Sequence, residues 1–151
     1  MKIVYICFSS IPSRQANSIH VMKMCQAFAQ AGHNVTLVAP DAFDIEPGVS
    51  DVYRFYGVKP VFKIHKVRLR SQCGFIRKFF YSFDSAGYAK KENPQLVYGR
   101  FIPACALAAM SGLSVISELH IPYGPGIIKE QLFRRFIRAK SFHHIVFQYF
   151  S

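Results

Sequence analysis

A doubly wound α/β fold, with a mostly parallel six-stranded sheet and helices on both faces, is the architecture the sequence predicts. Three observations carry that prediction. Short apolar runs alternate with segments of helical periodicity along the whole chain, the order produced when parallel strands are joined by crossover helices. The first run, Ile3 to Phe8, has no polar alternation, as expected of a strand covered on both faces. The chain has 151 residues, 51% hydrophobic and 18% charged, which suits one domain with a buried core and argues against disorder.

The elements follow in order. Lys2 to Phe8 is the first strand, and the loop Ser9 to Asn17 leads into a helix expected from Ser18 to Ala31. Val21, Cys25 and Phe28 recur at spacings of four and three, with Met22, Met24 and Ala29 widening the stripe, which is the face an amphipathic helix lays on a sheet. Asn17 or Ser18 can cap its N-terminus, and Gly32 supplies the left-handed residue that ends it. Val35 to Ala39 is the second strand. A right-handed crossover puts the first loop at the carboxyl edge of the sheet, where doubly wound folds bind ligands.

Pro40 to Pro47 reads as a loop and Val49 to Tyr56 as a short helix ending at Gly57. From Phe62 to Leu69 apolar residues alternate with basic ones, which predicts a half-buried strand near a sheet edge, its lysines discouraging edge pairing and His65 exposed. Gly74 to Lys91 is a helix carrying Phe75, Phe79 and Phe83 on one face, and it stops before Asn93-Pro94. Gln95 to Gly99 forms the fourth strand, Ile102 to Ser111 a small-residue helix ended by Gly112, and Ser114 to Leu119 the fifth strand. A turn-rich stretch from His120 to Gly126 precedes a helix from Ile127 to about Lys140, and His143 to Tyr149 completes the sheet.

The first loop restricts the ligand. A dinucleotide fold needs G-x-G-x-x-G here so that backbone approaches a pyrophosphate, and a P-loop ends in Gly-Lys-Ser/Thr. Residues 9 to 18 contain no glycine, so both nucleotide readings are poor. Its hydroxyls, Asn17 and Arg14 beside a helix N-terminus suit an anionic or polyhydroxylated ligand. A solvated loop with an ordinary cap accounts for the same residues.

Charge is distributed unevenly. The net charge is +11, with five Lys or Arg against four acids in residues 1 to 62 and eight against one in residues 63 to 91. Lys63, Lys66, Arg68, Arg70, Arg77 and Lys78 belong to the second stretch, and Arg134, Arg135 and Arg138 to a later cluster. Such patches attract anionic surfaces, and the interleaved Phe75, Phe79, Phe80, Tyr81 and Phe83 favour a membrane surface over duplex DNA. No nucleic-acid motif is visible, so no nucleic-acid partner is expected; a solvated basic face is the alternative. No apolar run approaches the roughly 18 residues of a membrane span. The N-terminal stretch is too short and wrongly flanked for a signal peptide, which predicts a cytoplasmic protein. Cys7, Cys25, Cys73 and Cys105 lack C-x-x-C spacing, so free buried thiols are expected rather than a metal site or disulfides.

Polar residues collect at the carboxyl ends of strands one, four and five: the first loop with Ser10 and Asn17, then Arg100, Glu118 and His120. Glu118 and His120 share a face of a continuing strand, and a histidine beside a carboxylate can act as general base toward a hydroxyl. The competing arrangement pairs Glu118 with Arg100 and leaves His120 in a turn.

Met1-Lys2-Ile3-Val4-Tyr5, Ile11-Pro12-Ser13, Ala16 to Met24 and Ala31-Gly32-His33-Asn34-Val35-Thr36-Leu37-Val38 together resemble the opening of family 4 glycosyltransferases of the GT-B fold. The resemblance implies a Rossmann-like half that holds the acceptor, with a separate half for the nucleotide-sugar donor and no cofactor bound here. It covers the entire chain and matches only that N-terminal half, so 1–151 is expected to be an acceptor-side domain that stops before the donor domain and to be inactive alone. Tyr98-Gly99-Arg100 and Ser117-Glu118-Leu119-His120 resemble acceptor-site segments. His120 then becomes the candidate catalytic base, and Arg100, Glu118, Ser10, Asn17 and His20 acceptor-binding residues. Many members have a Gly-Gly pair where Gln15-Ala16-Asn17 stands, which counts against direct backbone contact to a donor phosphate. The partners the resemblance implies are a sugar or lipid-linked acceptor and the donor-binding half; the basic aromatic stretch adds an anionic membrane surface at which the protein is peripheral. A non-catalytic membrane or partner-binding module is the other reading the residues allow.

Overall fold

The computed structural model describes residues 1–41, 45–71 and 73–119, and the backbone of a strand at 142–147. Strand β1 (Lys2–Ile6) leads through a loop to helix α1 (Ala16–Gln30) and strand β2 (Asn34–Asp41). Helix α2 (Val52–Phe55), strand β3 (Lys63–Arg68) and helix α3 (Gly74–Glu92) follow, then β4 (Leu96–Gly99), α4 (Ile102–Met110), β5 (Val115–Leu119) and β6 (Phe142–Phe147). The six described strands form one sheet in the order β3-β2-β1-β4-β5-β6, parallel throughout. The doubly wound prediction holds. The expected helix from Ile127 to Lys140 lies outside the described residues.

The strand order reverses between β1 and β4, which pair in the register Ile3↔Leu96 to Ile6↔Gly99. In open α/β sheets the crevice beyond the carboxyl ends at such a reversal is where ligands bind. Two apolar layers flank the sheet. Tyr5, Leu37, Val21, Met22 and Cys25 fill the α1 side, and Val4, Ile6, Val38, Val97 and the alanines of α4 fill the other. Small residues let α4 approach closely: a Cβ on Gly99 would lie 2.5 Å from Cys105 Sγ and 2.9 Å from the Ile6 carbonyl oxygen. Gly32 (φ 85°) and Gly112 (φ 90°) occupy the left-handed region at the helix ends, where side chains are disfavoured.

Three sequence expectations change. Helix α1 begins at Ala16 after Gln15, and neither Asn17 nor Ser18 caps it; both side chains bond back to the preceding loop. Strand β3 is the sheet edge as predicted, yet its apolar residues switch faces at His65-Lys66. Phe62 and Ile64 pack toward α1 and α2, whereas Val67 and Leu69 pack toward α3, and His65 stacks on Tyr88 with ring centroids 3.8 Å apart. Both faces of the edge strand are therefore covered. Helix α3 buries Tyr81, Ser82, Ser85, Ala86 and Ala89, so its phenylalanine face points to solvent. Ser82 and Ser85 donate to the carbonyls of Lys78 and Tyr81 in their own helix, which satisfies them in a dry interface.

Candidate functional site

The first loop is a packed element. Ser9, Ile11 and Ser13 are buried. Asn17 Nδ2 donates to Ser9 Oγ at 2.5 Å, and Ser18 Oγ to the Ser10 carbonyl at 2.8 Å. Tyr56 clamps the far side, accepting from the Ser13 amide at 2.6 Å and donating to the Ser13 carbonyl at 2.9 Å. Lys66 Nζ donates to the Ile11 carbonyl, and burial holds this ammonium below the usual lysine range. Arg14, which the sequence offers to an anion, lies 2.9 Å from Glu46. Polar contacts from three elements thus fix the loop, a pre-organisation that lowers the entropy cost of binding.

Beside it, side chains from α1, β4 and β5 converge. Tyr5 and Tyr98 are register partners with ring centroids 5.1 Å apart, and the period of two places Arg100 and Glu118 on the same sheet face. The Glu118 side chain is 1% exposed; its Oε1 lies 3.3 Å from His20 Nε2 and its Oε2 3.6 Å from Arg100 Nε. Tyr98 Oη donates to Glu118 Oε2 at 3.5 Å. Burial first, and then the Glu118 carboxylate, push the Tyr98 hydroxyl up to about 12, so it is a donor at neutral pH. His20 is 29% exposed, which leaves the imidazole between the buried carboxylate and solvent. A carboxylate in that position orients an imidazole and stabilises the imidazolium formed when it takes a proton.

The family model described as Glycosyltransferase Family 4 matches residues 18–148. The chain belongs to that family. A search of curated protein sequences returns no match. Solved structures that the family 4 chain resembles include MurG of Acinetobacter baumannii, at 14% identity and TM-score 0.57 over 98% of this chain and 46% of that one. The lipopolysaccharide outer core galactosyltransferase WaaB matches at 15% and 0.55 over 95% and 45% of the two chains. The UDP-GlcNAc 2-epimerase from Methanocaldococcus jannaschii matches at 12% and 0.58 over 95% and 45%. At such identities the likeness is one of fold, a Rossmann-like half of GT-B architecture. This chain spans less than half the length of each.

Within the family 4 chain, the described site joins Glu118 to His20, Arg100 and Tyr98, with Ser10 and Asn17 on the adjoining loop. His120 lies outside the described residues, as do Arg134, Arg135 and Arg138. The pairing of Glu118 with Arg100 is one of the two arrangements the sequence offered; the 98-residue separation hid that of Glu118 with His20, because the local spacing of two pointed to His120 instead. Tyr56 and Tyr98 were missed as polar anchors, although a tyrosine inside an apolar run is a residue that needs a partner for its hydroxyl.

The basic stretch separates spatially. Lys66 turns inward to the loop, which removes it from any surface patch. Lys63 sits at the amino end of β3, away from the others. Arg68, Arg70 and Lys78 remain exposed and Arg77 half-buried around the β3-to-α3 turn, with Arg70 paired to Asp84 at 2.8 Å. Cys7, Cys25 and Cys105 are buried free thiols as expected, whereas Cys73 is exposed. Among the described residues no helix is long and apolar enough to cross a membrane.

Proposed function

We propose that the chain is the acceptor-binding half of a nucleotide-sugar-dependent glycosyltransferase that works at the cytoplasmic face of a membrane in cell-surface glycan or glycolipid synthesis. The observation that carries this reading is the contact of buried Glu118 with His20 at 3.3 Å, at the carboxyl edge of the sheet in a family 4 chain. Ser10, Asn17 and Arg100 bind hydroxyls of a sugar or lipid-linked acceptor. His20 takes the proton of the reacting hydroxyl while its oxygen bonds to the donor sugar and the bond from sugar to nucleoside diphosphate breaks. Glu118 orients the imidazole, and His120, two residues further on, is the second candidate for the same role.

A second Rossmann-like half holds the donor in this reading, since positioning both substrates in one cleft supplies much of the rate. Half a cleft does not turn over. A second reading, a non-catalytic membrane-bound module, rests on the exposed phenylalanine face of α3 alone. Joining the chain to a donor-binding half and measuring sugar transfer separates the two: the first reading requires transfer that His20→Ala lowers, the second requires none.

A further inference from the structure

The N-terminal two turns of α3 project beyond the helix's buried contacts and carry a dense apolar surface. Phe75 is 81% exposed, Phe79 and Phe83 are each 51% exposed, and Ile76 and Phe80 complete the patch. Phe79 contacts both Phe80 and Phe83, with centroids 5.8 and 4.9 Å apart, so the rings form one continuous surface. Single exposed apolar residues are ordinary, but a contiguous cluster on one helix marks an interaction site. None of these rings takes part in the acceptor site.

Charge identifies the occupant. Arg70 lies over the Phe80 ring at 5.7 Å and Lys78 over Phe8 at 6.0 Å, and Arg68 is exposed at the end of β3 that leads to the same end of the helix. Asp84 is the one acid in residues 63 to 91, and it is engaged by Arg70. Two copies of this surface would bring like charges together, which costs association energy. An anionic lipid surface accepts both components, the rings entering the headgroup boundary and the cations meeting phosphates.

We infer that the aromatic face at the start of α3, rimmed by Arg68, Arg70 and Lys78, inserts into an anionic phospholipid surface. Phe8, under Lys78, stacks on Phe101 with centroids 4.9 Å apart, and Phe101 directly follows Arg100. The lipid-facing surface therefore adjoins the rim of the acceptor site, and insertion turns that rim toward a membrane-embedded acceptor. Lipid binding needs neither donor nor acceptor, so its test stands or falls independently of the transfer reading.

The test is sedimentation of the 151-residue chain with phosphatidylcholine vesicles, with and without phosphatidylglycerol. Cys73, next to Gly74 at the start of α3, carries an environment-sensitive dye, since the other three thiols are buried. Binding is expected only with phosphatidylglycerol, with a blue shift of the dye and weakening in salt. Arg68→Gln/Lys78→Gln should lower affinity by about fivefold for each charge removed, and Phe75→Ser/Phe79→Ser by at least about tenfold, with far-UV circular dichroism unchanged. Equal binding to both vesicle types, an unshifted dye, or phenylalanine variants that bind like the parent would overturn the inference. A concentration-dependent dimer that those variants abolish without lipid would also overturn it, because a second copy would then cover the face.

Discussion

Glu118→Gln keeps the shape of the side chain and removes the charge that faces Arg100 Nε at 3.6 Å. The two side chains are 1% and 12% exposed, so solvent and salt screen the pair weakly. With an effective dielectric constant of about 20, unit charges at that separation attract by roughly 4–5 kcal/mol, and desolvation of the carboxylate offsets part of this. Truncating one member of a buried pair costs about 3–5 kcal/mol, and urea unfolding of Glu118→Gln should register a loss of that size. Combining it with Arg100→Gln in a double-mutant cycle cancels whatever else either side chain touches. The expected coupling is about 1–3 kcal/mol. A coupling below about 0.5 kcal/mol, with native circular dichroism in all four proteins, would refute the electrostatic role given to Glu118.

Gly99→Ala forces a Cβ to within 2.5 Å of Cys105 Sγ and 2.9 Å of the Ile6 carbonyl, and overpacking of this kind costs about 1–3 kcal/mol. Thermal unfolding should fall by roughly 2–12 °C, with Cys105→Ala restoring part of the loss; an unchanged Tm would contradict the close β4–α4 approach. Thiol titration with an aromatic disulfide near pH 8 should show one fast equivalent, Cys73, because the other three are buried. Burial pushes the Cys7 thiol up to about 11, so the unfolded chain releases that proton first. Its stabilising contribution is full below about pH 8.5 and is lost as pH rises toward 11, roughly 3 kcal/mol in all. Cys7→Ala should flatten denaturant midpoints measured across that window by this amount.

The alternation of strand and helix made the sheet legible, because fully covered strands such as Ile3 to Phe8 and small-residue helices such as α4 leave strong local patterns. Periodicity failed where two faces are covered for different reasons. In β3 the switch from Ile64 to Val67 reads as slipped alternation, and only the packing of α3 on that edge explains it. In α3 the aromatic stripe is the stronger periodic signal, but the serines and alanines of the opposite stripe form the interface because they fit against α4. At the site, Arg100 and Glu118 were readable from their places at strand ends. The pairing of Glu118 with Arg100 was legible too, as one of two arrangements; its contact with His20 was not, since His20 arrives from a helix 98 residues away in the chain and only the packing of α1 on the sheet brings the two together.

In the proposed reaction His20, held by Glu118, takes the acceptor's proton in sugar transfer. That role is tested most directly by kcat for transfer in the chain joined to a donor-binding half, comparing the parent with His20→Ala and His120→Ala. A general base contributes about 10²–10⁴-fold, so His20→Ala should lower kcat by that factor while the fold and acceptor binding persist. Parental kcat in His20→Ala, or its loss in His120→Ala alone, would contradict that role.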